Sequence, residues 1–328
     1  MSRIIATRIR AGPAPLAARE RGGVDSFRMA TMLRAFAIAG TLAVFLPEAL
    51  ADEIEVTAIT FNVRVGLDEA ESLRWRNRRQ LVVDLLARHA PDVIGLQEDL
   101  SFQADDVAEG LPGYGAVGRG SLGGRYGELV SVLYRKERLR LVDWGAFWLS
   151  ETPERAGSMS WGNVFPRSVT WCLFETAEGA RLRVYNTHFP DDREDLRVKC
   201  AEALLARIAS DRAGGSMSGV GFASGPTIVL GDFNAAPGEA AFEALAGREA
   251  PLADAFKVAE ERGPEHATWH GFQGRPQGGR IDHVLVTPGL RVERIEILTD
   301  HADDTYPSDH FPVLARVAIP VPDAGSRR

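Results

Sequence analysis

Short runs of apolar and β-branched residues, each closed by a polar residue, recur along the chain after residue 52. The run 227–230 is typical of a buried strand, and after one glycine it presents Asp232 and Asn234. Residues two apart on a strand point the same way, so both side chains share one face at the carboxyl end of the strand. Open sheets often place their chemistry at that end. A simple turn also uses Asp and Asn, so this run alone does not indicate a site.

The same arrangement recurs in several other strand-like runs. Their ends carry side chains that could bind a metal or a phosphate: Asn62, Glu98, Asn186 with His188, Asp282, and Asp309 with His310. One such ending is common in any protein. Six of them, drawn from across the chain, indicate a single site.

The spacing of apolar residues predicts the remaining elements. Helices are predicted over 75–89, 101–109, 196–211 and 239–246, and strands over 54–64, 92–98, 128–135, 139–143, 168–175, 181–188, 280–287, 292–298 and 311–319. Loops are predicted over 110–127, 150–166, 214–225 and 263–280. The pairs 128–135 with 139–143 and 168–175 with 181–188 are predicted hairpins.

The order of these elements predicts the fold class. The continuous apolar run 54–64 predicts a central strand buried on both faces, and with the helix 75–89 and the strand 92–98 it forms a strand–helix–strand unit. Asn62 and Glu98 then lie at the same end of a sheet. Strands outnumber helices, and helices follow strands in both halves. Two sheets packed face to face with helices outside, an α+β arrangement, is the simplest architecture that buries such runs.

The first 51 residues differ from the rest. Residues 1–28 are rich in Arg, Ala, Gly and Pro and are typical of an upstream extension or a disordered leader. A basic residue, the apolar stretch 35–46 and small residues at the end predict a secretory signal cleaved after Ala51. A membrane anchor would need roughly 20 apolar residues. We therefore expect a periplasmic or secreted monomer without stable membrane insertion, in which residues 52–328 form a single domain.

The charge of the chain weakens a broad DNA-degrading role. It has 38 basic and 45 acidic residues, a net charge of −7. Loss of residues 1–51 removes seven Arg and three acidic residues, so 31 basic and 42 acidic residues remain, a net charge of −11. Non-specific binding of nucleic acid depends on Lys and Arg, and an acidic protein gains no such attraction.

The two cysteines leave two alternatives open. Cys172 lies in a predicted strand and Cys200 in a predicted helix. They could form a disulfide in an oxidising compartment, or they could be two small buried residues. No cysteine and histidine cluster of the zinc type exists in the sequence.

Three of the strand ends suggest a metal site. Glu98 and Asp309 supply carboxylates, and Asn62 offers a neutral oxygen beside them. A few oxygen ligands of this kind suit Mg²⁺, which usually binds through one or two carboxylates together with substrate phosphate. Mn²⁺ or Ca²⁺ would also fit.

Two histidines suggest acid and base chemistry. Each could pair with a carboxylate, His188 with Glu128 and His310 with Asp282, and such a partner fixes the tautomer and leaves the other ring nitrogen free for proton transfer. One could act as general base for water and the other as general acid for the leaving group. Transfer of a phosphoryl group asks the protein mainly for positioning and for neutralisation of charge. Candidates for orienting the water or binding phosphate oxygens are Asp232, Asn234, Asn186, Arg64 and Arg167.

These residues resemble, in order, the motif series of the endonuclease/exonuclease/phosphatase superfamily, whose fold is the DNase-I-like four-layer αββα sandwich. The matching segments are Thr60-Phe-Asn, Leu96-Gln-Glu, Asn186-Thr-His, Gly231-Asp-Phe-Asn, Arg280-Ile-Asp-His and Ser308-Asp-His. The resemblance spans residues 54–319. It implies this fold and a dependence on a divalent metal.

The resemblance also implies roles for individual residues. Glu98 matches the metal-binding Glu, and Asn62 matches the Asn beside it. Asp232 and Asn234 match the pair that handles nucleophile and phosphate. At the end of the series, Asp309 matches the acid before the catalytic His, and His310 matches that His. Asp282 matches the carboxylate partner of the His. Glu128 resembles the acid that pairs with His188 in DNase-type members.

Within the superfamily the chain looks most like bacterial exported members, for which the resemblance implies no settled substrate. His270 could face the substrate or only brace its loop. We expect a divalent-metal-dependent phosphoesterase acting on a phosphate-ester substrate. A nuclease acting on DNA or RNA, a silent binding protein on the same fold, and a hydrolase of a non-phosphate substrate that uses Trp148, Trp161 or Trp269 are the alternatives. No loop is predicted to carry the apolar hairpin of a lipid enzyme.

Overall fold

The computed structural model of the protein describes residues 52–67, 70–214 and 225–322. All of them belong to one compact unit, residues 49–328. The predicted secretory signal lies outside the described residues, so export stays a prediction. Among the described residues, no helix has both the length and the apolar character needed to cross a bilayer.

Strands outnumber helices, as the sequence predicts. The strands, numbered in chain order, are β1 (Glu53–Asn62), β2 (Val93–Gln97), β3 (Tyr114–Val117), β4 (Val132–Arg135), β5 (Leu139–Trp148), β6 (Ser168–Thr176), β7 (Arg181–His188), β8 (Thr227–Asp232), β9 (Ala253–Asp254), β10 (Glu261–Arg262), β11 (Asp282–Val286), β12 (Arg291–Ile297) and β13 (Val313–Pro320). The helices are α1 (Trp75–His89), α2 (Ser101–Gly110), α3 (Glu194–Arg212), α4 (Ala240–Ala246) and α5 (Ala255–Val258), and a one-turn 3₁₀-helix covers Glu71–Leu73. Helix α1 ends where Ala90 adopts the left-handed conformation, directly before Pro91.

Two mixed sheets form from these strands. In the described part of the chain, the first sheet has seven strands in the order β10-β12-β13-β1-β2-β4-β3, and the second has six in the order β5-β6-β7-β8-β11-β9. β1 is central in the first sheet and pairs in parallel with β2 and antiparallel with β13. β7 and β8 pair in parallel in the second sheet.

The layers follow from which face each strand buries. Apolar side chains from both sheets fill the space between them, among them Val56, Val93, Phe174, Val184 and Leu230. On the outer face of the first sheet, Phe61 and Ile94 pack against Val82 and Leu86 of α1 and Val107 of α2. On the outer face of the second sheet, residues of β6, β7 and β8 pack against α3 and α4. Two sheets packed together with helices outside confirm the predicted fold class.

The cysteines lie on opposite faces of the second sheet. Cys172 belongs to the core between the sheets, whereas Cys200 on α3 belongs to the outer core. Both are buried and free. Of the two alternatives, the structure therefore shows two small buried residues.

The predicted hairpin over 128–135 and 139–143 is wrong. β4 pairs with β2 and β3 in the first sheet, and β5 pairs with β6 in the second. The connection 136–138 passes from one sheet to the other, and β4 is buried on both faces, with Val132 in the core between the sheets and Leu133 in the outer core. β3 also lies inside the predicted loop 110–127, and the short elements β9, β10 and α5 were not predicted.

The two sheets approach closely at Gly95 on β2. A Cβ atom added there would lie 2.6 Å from Asn186 Oδ1 and 3.1 Å from Leu230 Cβ. The Asn186 amide has little freedom to move, since it accepts a hydrogen bond from Gln97 and donates to the carbonyls of Leu96 and Ser131. Glycine fits at position 95 because it has no Cβ atom to collide with Asn186.

We expect Gly95→Ala to lower the free energy of unfolding by about 1–3 kcal/mol, because an overpacked core must shift its backbone or rotamers. Gly113→Ala is the control, since a Cβ atom there would meet nothing within 4 Å. Urea denaturation followed by circular dichroism measures both. Equal unfolding midpoints for the two variants would contradict the close approach of the sheets.

Candidate active site

The predicted strand ends meet at one edge of the sandwich. β1 and β2 run parallel, as do β7 and β8, so all four have their carboxyl ends at this edge. β11 and β13 are antiparallel to their neighbours β8 and β1 and therefore begin there. Polar side chains from both sheets come together as a result.

A cleft of about 950 Å³ opens at this edge. Nine of the thirteen predicted site residues line it: Arg64, Glu98, Glu128, Arg167, His188, Asp232, Asn234, Asp309 and His310. Asn62 and Asp282 are buried behind these and hydrogen-bond to them. The structure thus brings eleven of the thirteen together, while their roles stay predictions.

Asn62 joins the two sheets at the base of the site. Its amide nitrogen donates to Glu98 Oε1 at 2.9 Å and to Asp232 Oδ2 at 3.0 Å, and its amide oxygen accepts from the Arg64 backbone N–H at 2.9 Å. Because Asn62 is fully buried, these bonds fix the orientation of two carboxylates. Its role as a metal ligand stays a prediction.

The backbone is strained at several of these positions. Arg64, Glu98 and Asn234 have φ angles of 58°, 60° and 49°, and Phe272 in the cleft wall has 62°. For residues with a side chain this left-handed conformation costs roughly 1–3 kcal/mol, and it is maintained only where surrounding contacts demand it. Val65 N–H on Glu98 Oε2 at 3.0 Å and Asn234 N–H on Asp232 Oδ1 at 2.9 Å are such contacts. The strain therefore serves to aim the site side chains.

His310 and Asp282 form a buried pair. His310 Nδ1 lies 2.9 Å from Asp282 Oδ2 and 3.8 Å from Asp232 Oδ2. Burial opposes protonation of His310, but Asp282, Asp232 and Asp309 outweigh it and raise its pKa to about 10. Burial, followed by the charge of Asp282, raises the pKa of Asp232 to about 7. At neutral pH an imidazolium thus lies beside a carboxyl group that can bind or release a proton.

The predicted pairing of His188 with Glu128 is wrong. Arg167 lies between them: its Nη1 donates to His188 Nδ1 at 3.0 Å and is 3.6 Å from Glu128 Oε2. Burial and the charge of Arg167 hold the pKa of His188 well below its usual value. Since Nδ1 accepts a hydrogen bond, the neutral ring carries its proton on Nε2. That atom lies 3.1 Å from Asn234 Nδ2 and 3.7 Å from Asp232 Oδ2.

Two carboxylates converge on one positive charge in the cleft. Glu98 Oε2 and Asp309 Oδ2 are each 3.9 Å from the same atom, Nη1 of Arg64. Converging carboxylate oxygens that already attract a cation fit a hard divalent ion such as Mg²⁺, Mn²⁺ or Ca²⁺. Two of the three residues predicted from the sequence as metal ligands, Glu98 and Asp309, therefore fit the ion.

A second group of possible ligands lies beside this one. Asp232, Asp282 and His310 offer ligand atoms within 4.8 Å of one another. His310 Nδ1 is engaged by Asp282 at 2.9 Å, however, and the ring is protonated near neutral pH. A protonated imidazole is not a ligand, so these three residues suit proton transfer better than metal binding.

Two candidate substrate contacts, Asn186 and His270, do not line the cleft. Asn186 is fully buried and its amide is consumed by hydrogen bonds between the sheets. His270 is also fully buried; it stacks on Phe311 with ring centroids 3.9 Å apart, and its Nδ1 accepts a hydrogen bond from Gly274 N–H. Burial lowers its pKa to about 4. His270 braces its loop, which was one of the two alternatives that the sequence left open.

Arg78 on α1 supports the site from behind and was not predicted. Its guanidinium donates to the carbonyls of Val63, of Arg64 at 2.8 Å and of Pro307 at 3.1 Å, and its Nε donates to Leu73 O at 2.9 Å. The first two carbonyls belong to the loop after β1, and Pro307 directly precedes the Ser308-Asp309-His310 segment. Arg78 therefore ties together the loops that carry both groups of site residues.

The apolar part of the cleft was not predicted either. Leu67, Leu122, Phe165, Trp269 and Phe272 line it. Of the three tryptophans proposed as stacking surfaces, Trp269 is in the cleft wall and Trp148 is buried, donating to Ser121 O at 2.6 Å. Exposed residues in loops have no periodicity, so the sequence offered no signal for them beyond the tryptophans themselves.

The chain is similar to known proteins in both sequence and fold. Residues 59–310 match the sequence profile of the Endonuclease/Exonuclease/phosphatase family. The chain belongs to this family. It is a family of hydrolases, in agreement with the motif series, and its enzymes typically use a divalent metal.

Two solved structures are similar over most of the chain. The endonuclease/exonuclease/phosphatase from Bacteroides vulgatus is 31% identical with a TM-score of 0.73, covering 81% of this chain and 99% of that one. A mannosyl-6-phosphatase of Bacteroides thetaiotaomicron is 28% identical with a TM-score of 0.73, covering 80% and 99%. An uncharacterized protein of Acanthamoeba polyphaga mimivirus is 31% identical over 170 residues, which are 49% of this chain. The chain spans only 59% of that curated relative's length.

Proposed function

We propose that this protein is a divalent-metal-dependent phosphoesterase that hydrolyses phosphate esters of small molecules. The observation that carries the proposal is the buried arrangement of His310, Asp282 and Asp232 beside the convergent carboxylates Glu98 and Asp309. Hydrolysis of a phosphate ester uses a general acid and a general base with different pKa values, next to a bound cation. This cleft holds groups suited to all three. The similar mannosyl-6-phosphatase supports a small phosphate ester as substrate.

The residues of the chain have separate roles in this proposal. Asp232, whose pKa is raised to about 7, takes a proton from the attacking water. Oxygen of that water forms a bond to phosphorus, the ester P–O bond breaks, and the protonated His310 gives its proton to the departing alkoxide. Alcohol and inorganic phosphate, or a phosphomonoester from a diester, are the products. Asp282 keeps His310 protonated and oriented.

Phosphate oxygens have N–H donors available beside Asp232. The Nε2 atom of His188 and Nδ2 of Asn234 are 3.1 Å apart, and both residues line the cleft. Two donors this close to one another gain from an anionic oxygen that accepts from both. Arg167 acts through His188, since its hydrogen bond to Nδ1 fixes the proton on Nε2. This replaces the predicted role of His188 as a general acid or base.

Glu98 and Asp309 would hold the metal ion. A bound divalent ion supplies charge neutralisation at the phosphate oxygens. Arg64 lies beside this metal site, because its Nη1 atom is 3.9 Å from an oxygen of each carboxylate.

Metal removal and substitution of Glu98 test this proposal. With p-nitrophenyl phosphate or bis-p-nitrophenyl phosphate, we expect hydrolysis with Mg²⁺ or Mn²⁺ and loss of it in EDTA. Glu98→Gln should weaken Mg²⁺ binding in calorimetry by at least about tenfold, since one carboxylate of the site is lost. The matched control is Glu137→Gln, an exposed glutamate outside the cleft. Turnover in EDTA together with unchanged Mg²⁺ affinity of Glu98→Gln would contradict the proposal.

A further inference from the structure

The mouth of the cleft exposes large apolar side chains. Leu67 is 69% exposed, Leu122 61%, Phe165 66% and Trp269 38%, and all four line the cleft. They come from four separate loops, which follow β1, precede β4, precede β6 and precede β11. We call these four residues the apolar rim. Large exposed apolar side chains grouped around one cleft mark a place where a ligand or partner binds.

Two of the loops that carry the rim contact one another. A Cβ atom on Gly157 would lie 3.8 Å from Leu122 Cα, so the loop that leads to Phe165 packs on the loop of Leu122. Tyr126 in the first of these loops and Val164 in the second are exposed as well. These two loops therefore expose apolar side chains beyond the rim residues.

The charge of the cleft indicates which ligands fit it. Its described lining contains five acidic residues and three cationic ones, with no lysine: Glu98, Glu128, Asp191, Asp232 and Asp309 against Arg64, Arg167 and His310. Arg167 is itself within 3.6 Å of Glu128 and 3.8 Å of Asp191. A polyanion such as nucleic acid gains affinity by releasing counterions at many Lys and Arg contacts. This lining favours instead a single phosphate joined to an uncharged group.

We propose that the apolar rim is a subsite for the organic group of the substrate, and that the substrate class is a phosphate ester with an alkyl or aryl group next to the phosphate. The proposal rests on the phosphoesterase function argued above. The rim is continuous with the lining that contains His310 and Asp232, so a bound phosphate places its ester group within reach of the rim. Burial of that group against leucine, phenylalanine and tryptophan provides affinity that a hydrophilic ester lacks.

A homologous series of substrates tests the subsite. Two series are assayed, n-alkyl phosphate monoesters and n-alkyl p-nitrophenyl phosphates from methyl to octyl, below the concentrations at which they aggregate. We expect kcat/KM to rise with chain length by about two- to fourfold for each methylene that reaches the rim, the increase expected for burying a CH₂ group. Phe165→Ser and Leu122→Ser should make the rise shallower.

The matched control is Val258→Ser, which removes an apolar side chain that is 44% exposed and lies outside the cleft lining. It should keep the wild-type dependence on chain length. A flat series in the wild-type protein, or an equal slope in Phe165→Ser and Val258→Ser, overturns the subsite. Absence of hydrolysis even of the methyl esters with every metal overturns the phosphoesterase function itself, and the subsite with it.

An apolar group next to a phosphate ester occurs both in dissolved esters and in lipids of a bilayer. Flotation of the protein with phosphatidylcholine vesicles distinguishes these two kinds of substrate. A rising slope with dissolved esters and no flotation identifies dissolved esters as the source. A rising slope with flotation that Phe165→Ser abolishes identifies a lipid substrate. Flotation that Phe165→Ser abolishes, combined with a flat series, overturns the subsite and makes the rim a membrane contact.

Discussion

Replacement of His310 by alanine should lower kcat by about 10²–10⁴-fold, the usual contribution of a general acid or base. The ring lines the cleft 3.8 Å from Asp232, and Asp282, 2.9 Å from its Nδ1, keeps it protonated. Without it the departing alkoxide has no proton donor in that position. KM should change far less than kcat, because the loss concerns the transition state. Initial rates with p-nitrophenyl phosphate esters and Mg²⁺ measure both constants.

The same substitution should also cost stability, so the assay needs controls. It leaves Asp282 buried without its partner, and breaking a buried pair typically costs about 3–5 kcal/mol. Rates must therefore be taken below the melting transition of each variant. His89→Ala is the control for loss of a histidine, because His89 pairs with Asp300 at 3.2 Å outside the cleft lining, in a more exposed position. Wild-type kcat in His310→Ala, with the fold verified by circular dichroism, would exclude the proposed role.

Most of the fold was predictable because local patterns carried it. Apolar runs of strand length predicted the buried strands, and the helical spacing from Trp75 to His89 gave both ends of α1. The convergence of Asn62, Glu98, Asp232 and the residues near His310 followed from simple topology. Parallel strands share a carboxyl edge, and polar residues at their ends must therefore meet there.

The predictions that failed concern tertiary contacts, which no local sequence pattern encodes. Glu128 and His188 both line the cleft, but Arg167, which precedes β6, lies between them and contacts each one. The short charged turn after β4 is typical of a hairpin, yet β4 and β5 belong to different sheets. Asn186 ends a strand like Asn62 but faces the other sheet rather than the cleft. Both are fully buried, so their hydrogen-bond partners separate them: Asn62 donates to Glu98 and Asp232, whereas Asn186 bonds Gln97 and backbone carbonyls.

Replacement of Arg78 by methionine should have the largest effect on stability outside the catalytic groups. Its side chain is buried and binds several backbone carbonyls from two loops. Methionine fills similar space but leaves these buried acceptors unsatisfied, at about 1–3 kcal/mol each. We expect the free energy of unfolding to fall by about 3–5 kcal/mol, which for a domain of this size lowers Tm by roughly 10 °C.

Arg78→Met should also weaken Mg²⁺ binding, because the loop that Arg78 holds supplies Val65 N–H to Glu98 Oε2 and Arg64 N–H to Asn62. A purely structural residue would lower Tm without changing the metal affinity of the protein that remains folded. Arg78→Lys should recover part of the stability but little of the metal affinity, since an ammonium group cannot bridge both loops as the guanidinium fork does. The neighbouring Arg79→Met, on the exposed side of α1 with Asp106 3.7 Å away, should change stability by no more than about 0.5 kcal/mol. Thermal melts and Mg²⁺ calorimetry on the three variants decide the matter: if Arg78→Met behaves like Arg79→Met in both, Arg78 has no part in positioning the site.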